Sequence, residues 1–143
     1  MISTPDIKLN VSKAPKILEE AAEFIQQNYP LVEAAILYGS LATGKAHEYS
    51  DIDICLYQTG EVSYMELHQL ERLLGEQFQV PFDLNYYSSI AKLPLALGTV
   101  VMKGQILFDK TGVWSKILAN KKQIVAAYKD KMKELQQDHI IYV

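Results

Sequence analysis

Apolar positions along this chain change period several times, and each change marks an element. The first dozen residues read as a loose lead-in. Ile17, Leu18, Ala21, Ala22, Phe24 and Ile25 then recur at helical spacing. Ser12 can cap that helix, Pro15 suits its first turn, and Asn28 and Pro30 stop it. Ala34 to Tyr38 is a short apolar run ended by Gly39, the pattern of a buried strand entering a tight turn. From Asp51 to about Tyr57 polar and apolar residues alternate at first, predicting a second strand that Thr59-Gly60 breaks. Ser63 and Glu66 form a capping box for a helix to about Phe78, with Leu67, Leu70, Leu73 and Leu74 facing inward. Val80 to Tyr86 predicts a third strand, Leu93 to about Met102 a helix, and Gln105 to Phe108 a fourth strand after a turn at Lys103-Gly104. A long helix from about Val113 to Gln137 follows, striped by Trp114, Ile117, Leu118, Ile124, Val125, Tyr128, Met132 and Leu135. Strands alternating with helices predict an α+β fold: a small mixed β-sheet flanked by helices, in one domain over residues 1–143.

The bulk properties narrow the classes. At 143 residues the chain can bury a real core, and 49% apolar with 22% charged residues is ordinary for a globular protein. A net charge of −3 advertises no broad basic surface, so no direct grip on long nucleic acid is expected. Cys55 is the single cysteine, which excludes an internal disulfide, and its apolar strand suggests an inert buried thiol. No signal peptide and no apolar run near 20 residues is seen, which predicts a cytoplasmic protein without membrane contact. His47, His68 and His139 lie far apart and offer no zinc-ligand spacing.

The chemistry concentrates at Ile36-Leu37-Tyr38-Gly39-Ser40, a ten-residue loop, and Asp51-Ile52-Asp53-Ile54. Glycine lets the backbone approach a phosphate, serine adds a hydroxyl, and a helix starting there would aim free N–H groups at an anion. Residues two apart on a strand share a face, so Asp51 and Asp53 point together while Ile52 and Ile54 enter the core. Two carboxylates roughly 4 Å apart repel by about 4 kcal/mol at an effective dielectric near 20. One or two divalent cations would reverse that sign and bridge triphosphate oxygens. The plainer reading of an isolated Asp-x-Asp is a turn residue followed by a solvated strand position. Asp83, on the third predicted strand, can complete a metal shell and take a proton from an attacking hydroxyl if its strand neighbours theirs; otherwise it is an exposed strand residue.

Gly39-Ser-Leu-Ala-Thr-Gly44-Lys45-Ala46 nearly spells a P-loop. Ala46 stands where the hydroxyl should be, and a strand, not a long helix, follows too soon. Lys45 either reaches a phosphate or is a solvated loop lysine. Tyr86-Tyr87 either rims the site, stacking a base, or is strand packing. The apolar tail Ile140-Ile141-Tyr142-Val143 either docks on its own core or contacts a partner.

The Gly39-Ser40 turn, the spacer, the Asp51/Asp53 pair and Asp83 resemble the minimal nucleotidyltransferase branch of the DNA polymerase-beta superfamily, with element order agreeing from about residue 12 to 110. That resemblance implies triphosphate binding by Gly39 and Ser40, Mg²⁺ held by Asp51 and Asp53, and activation of a hydroxyl by Asp83. Many relatives carry arginines just after the Gly-Ser; here stand Leu41 and Thr43, with Lys45 the nearest cation. Minimal, MntA-like members are similar to antitoxins encoded beside a HEPN-domain ribonuclease toxin, which they silence by moving AMP from ATP onto a toxin tyrosine. The resemblance therefore implies a protein adenylyltransferase with ATP as substrate. Transfer to a small-molecule hydroxyl such as an aminoglycoside, or neutralisation by binding alone, are the alternatives.

Overall fold

The computed structural model describes residues 9–142, with side chains as far as residue 136. After a 3-10 turn (Val11–Lys13) come α1 (Ala14–Asn28), β1 (Val32–Tyr38), α2 (Gly39–Ala42), β2 (Ile52–Gln58), α3 (Tyr64–Phe78) and β3 (Phe82–Tyr86). α4 (Tyr87–Ile90), α5 (Pro94–Lys103), β4 (Gln105–Asp109), α6 (Val113–Leu118) and α7 (Lys121–Tyr142) follow. The sheet order is β3-β2-β1-β4. β1 pairs antiparallel with β2 and β4, and β2 pairs parallel with β3, so the sheet is mixed as its sequence pattern predicts. No helix among the described residues is long and apolar enough to cross a membrane.

Strand alternation splits the core in two. Ile52, Ile54, Leu56, Ala35, Leu37 and Leu84 pack with Ala21, Ala22 and Ile25 of α1 and Leu67, Leu70 and Leu74 of α3. The other face packs Ala34, Ile36 and Cys55 against Ile90, Val100, Val101 and Trp114, from α4, α5 and α6. Each large aliphatic side chain so buried contributes about 1.5–3 kcal/mol, which is what pins the strand faces. Cys55 is a free thiol, buried as expected, and burial pushes its pKa up to about 12.

Several boundaries differ from the sequence pattern for identifiable reasons. Ser12 does not cap α1: Asn10 accepts from the Ser12 N–H and hydroxyl, nucleating the 3-10 turn, and Lys13 precedes α1 without a side-chain cap. Leu9 is not loose lead-in but buried, its N–H donating to Glu48 O at 2.7 Å. β3 starts at Phe82, not Val80, because Pro81 has no N–H for the ladder; its carbonyl still accepts from Ile52 N–H at 2.9 Å. Ser63 does cap α3, accepting from Glu66 N–H, but Leu73 is 41% exposed and faces outward beside the buried Leu70 and Leu74.

The long C-terminal helix is two helices. Asp109 opens α6 by accepting from the N–H groups of Gly112, Val113 and Trp114. At its end the Asn120 N–H turns back to Ile117 O, and the Asn120 carbonyl then accepts from Ile124 N–H to restart the chain as α7. Of the predicted stripe only Trp114 is buried; Ile117 to Met132 are half-buried, and Leu135 is 42% exposed. The side chains of the apolar tail lie outside the described residues.

α7 packs on α5 through a close approach at Gly98, where an added Cβ would lie 2.6 Å from the Tyr128 Cβ. Gly98→Val is therefore expected to destabilise the protein by about 1–3 kcal/mol, the usual cost of overpacking. Thermal unfolding would show it, and an unchanged melting temperature would mean that α7 does not dock there.

Candidate active site

The register of three strands assembles the site. Tyr38 of β1 lies opposite Asp53 of β2, and Asp53 lies beside Asp83 of β3. The first row across this face of the sheet is thus Tyr38, Asp53, Asp83, and the second is Ile36/Cys55/Asn85 in the neighbouring register positions. Asp51 stands just before β2. Its loop is closed by Ser50, which is buried: the Ser50 hydroxyl accepts from His47 N–H at 2.9 Å, and Ser50 N–H donates to His47 O at 3.0 Å. β3 is an edge strand, and the Glu71 carboxylate of α3 ties it down by accepting from Leu84 N–H at 2.8 Å. Asp51, Asp53 and Asp83 each offer an oxygen, and these oxygens lie within 4.8 Å of one another.

Electrostatics set the cluster apart from the other carboxylates among the described residues. Asp51 and Asp83 are exposed and Asp53 is half-buried. Desolvation, then the charges of Asp83 and Asp51 and a hydrogen bond with Asp83, push the Asp53 pKa from 3.8 up to about 7. Among the described residues no lysine, arginine or histidine forms an ion pair with any of the three. An all-oxygen donor set with uncompensated negative charge fits a hard divalent cation. These residues therefore fit a metal ion, and the set alone does not choose which.

The glycine turn is built against the same carboxylates. Gly39 has φ +76°, a left-handed conformation, and a Cβ there would fall on Asp53 Oδ2 and lie 2.9 Å from Asp53 Cγ. α2 is a single turn, with Thr43 N–H donating to Gly39 O and Lys45 N–H to Ser40 O. Gln105 of β4 pins it by donating from Nε2 to Ala42 O at 2.9 Å. After Gly44 the chain runs through a loop to β2, so no P-loop helix forms. Lys45 is exposed on that loop.

Two side chains escaped sequence reasoning. Asn85 Nδ2 donates to the Tyr38 hydroxyl oxygen at 2.9 Å and reaches Asp83 Oδ1 at 3.4 Å. Burial above all raises the Tyr38 pKa to about 12, with Asp53 and Asp83 adding to the rise, so its phenol stays neutral. Asn85 follows Asp83 by two and so shares its face, which was a readable signal; its bond to Tyr38, two strands away, was not. Tyr86 and Tyr87 are packing residues. Tyr86 is buried on the opposite face and donates its hydroxyl to Ser63 O at 3.0 Å, while Tyr87 packs on Tyr57 and Trp114.

Comparison with known proteins follows the same geometry. A family model described as Polymerase beta, Nucleotidyltransferase matches residues 19–112. No curated protein matches the sequence. A chain from the crystal structure of a toxin-antitoxin with AMP-PNP is similar at TM-score 0.67 and 20% identity, covering 92% of this chain and 99% of that one. A chain from tri-AMPylated Shewanella oneidensis HEPN toxin in complex with MNT antitoxin is similar at TM-score 0.65 and 20% identity, covering 89% and 98%. The toxin-antitoxin MntA-HepT provides a third, with TM-score 0.68 and 15% identity over 88% and 98%.

Proposed function

The chain belongs to the polymerase beta nucleotidyltransferase family, and from that premise we propose that it is the antitoxin of a HEPN/MNT pair, transferring AMP from ATP to a tyrosine hydroxyl of its toxin. One observation carries the chemistry: three carboxylates with no cationic partner among the described residues, gathered within 4.8 Å beside a turn that only glycine fits. The choice of acceptor is supported by the similarity, over nearly the whole of both chains, to toxin-antitoxin structures that include AMP-PNP and an AMPylated toxin.

In this reading the whole chain acts as one nucleotidyltransferase unit. Mg²⁺, when bound, supplies positive charge for the triphosphate and its leaving group. Asp51, Asp53 and Asp83 would hold that ion. Gly39, through its backbone, and Ser40, through its hydroxyl, grip the β- and γ-phosphates, and Lys45 adds a positive charge from the loop. Asp83 takes the proton of the incoming tyrosine hydroxyl. The phenolate oxygen bonds to the α-phosphorus, the bond from that phosphorus to the bridging oxygen breaks, and pyrophosphate leaves. A phosphodiester of tyrosine and AMP remains on the partner.

The test uses the protein with its neighbour-encoded partner, labelled ATP and Mg²⁺. Label is expected on a partner tyrosine with the wild type and not with Asp51→Ala/Asp53→Ala, which should also fail to protect cells. Protection by the double variant would mean neutralisation by binding alone. Label on an aminoglycoside, with none on the partner, would move the reading to small-molecule transfer.

A further inference from the structure

We propose that Asn85 and Tyr38 form a clasp that closes the inner side of the acid cluster and positions Asp83; this rests on the nucleotidyltransferase reading above and extends it to two further residues. The topology makes the argument. β2 lies between β1 and β3, so a hydrogen bond from Asn85 on β3 to Tyr38 on β1 requires a side chain to cross β2. It crosses on the face that carries Asp53, because Tyr38 and Asp53 are register partners and Asn85 shares the face of Asp83. Consistently, Asp53 and Asp83, which flank that crossing, add to the rise that burial gives the Tyr38 pKa. The Tyr38 ring packs at the same time on the apolar cluster that holds Ile36, Cys55 and Val100.

The clasp has a direction. Asn85 Nδ2 carries two protons; one goes to Tyr38 Oη at 2.9 Å, and the other points toward Asp83 Oδ1 at 3.4 Å. The stronger bond fixes the amide, and the fixed amide then flanks a single oxygen of Asp83. That leaves the other Asp83 oxygen for the cation and the attacking hydroxyl. Without the clasp the exposed Asp83 carboxylate keeps only its contact with Asp53 and loses the restraint from Asn85. Asn85 and Tyr38 are positioning residues: they act through Asp83.

The experiment compares Asn85→Leu, Tyr38→Phe and the double variant, each of which removes the polar group and keeps the branching of the side chain. Mn²⁺ alone, titrated into the protein and followed by electron paramagnetic resonance, gives a readout independent of transfer. Asn85→Leu is expected to weaken Mn²⁺ binding by about 3- to 10-fold and to lower kcat by about 10-fold, with KM for ATP within about twofold. Tyr38→Phe, which removes only the anchoring hydroxyl, should move both quantities the same way by about threefold. The double variant should resemble Asn85→Leu, because the two residues act as one unit. Independent, multiplying losses, a rise in KM alone, or unchanged Mn²⁺ binding in correctly folded Asn85→Leu would overturn the clasp. If wild type and variants bind Mn²⁺ in the expected order but none transfers AMP, the clasp stands and the proposed reaction falls.

Discussion

Asp53→Asn is expected to lower nucleotidyl transfer by about 10³-fold and, at pH 8 without metal, to raise the melting temperature. The two effects have one origin. Burial and the neighbouring carboxylates raise the Asp53 pKa from 3.8 to about 7. Between those values the folded chain keeps a proton that the unfolded chain releases. Stability therefore falls as pH rises from about 4 to about 7 and stays reduced above it. Asparagine keeps the shape of the side chain without the charge. Three pH units would correspond to about 4 kcal/mol, but Asp53 is half exposed, and screening reduces the expected gain to about 1–2 kcal/mol. For a chain of this size that is about 3–6 °C. The gain should shrink as pH approaches 4, where wild-type Asp53 is itself protonated. Mg²⁺ should raise the melting temperature of the wild type and leave the variant nearly unmoved. A variant that melts lower than wild type at pH 8 would show that the cluster is not strained by its charge.

What could be read from the chain and what could not divide along a physical line. Asp51 and Asp53 announce themselves because strand period is local: Ile52 and Ile54 must enter the core, so the residue between them faces out. Gly39 after an apolar run is equally local. That Asp83 lies beside Asp53 depends on the parallel register Ile52↔Phe82, Asp53↔Asp83, which buried residues on both strands set together and no single segment encodes. The strand pattern joins Asp83 to the pair only if its strand neighbours theirs, and the register brings the three together. Tyr38 and Asn85 were missed for the same reason, since 47 positions separate them. Errors at helix ends have another cause. Ser12 and Asn10 both suit a cap, and the difference lies in where Leu9 is buried, a tertiary matter. Leu73 lies next to Leu74 on α3, and a periodic apolar run does not say where the buried stripe stops. The long C-terminal pattern hides its break because the polar run Asn120-Lys121-Lys122-Gln123 is about one turn long and the apolar register resumes at Ile124.

Gly39→Ala should be among the most damaging single substitutions to both fold and activity, and its damage should depend on Asp53. Two costs combine. At φ +76° an alanine is strained by about 1–2 kcal/mol wherever it stands. In addition its Cβ would fall on the Asp53 carboxylate, lying 2.9 Å from Cγ and 3.2 Å from Cβ of that residue, so either β1 or the carboxylate must shift. A total of about 3–4 kcal/mol is expected, with transfer reduced by more than about 10²-fold because Asp53 leaves its place beside Asp83. Asp53→Ala removes the two nearest atoms of that clash. In an Asp53→Ala background the added cost of Gly39→Ala should therefore fall toward the backbone strain alone, a coupling of about 1–2 kcal/mol between the two positions. Urea unfolding of the four proteins in the cycle measures it. A Gly39→Ala cost that is the same with and without the Asp53 carboxylate would mean that the turn and the acid cluster are separate features. The dependence expected here makes them one: the close approach that demands glycine is made by a residue of the acid cluster, so the turn cannot change without moving the charge it faces.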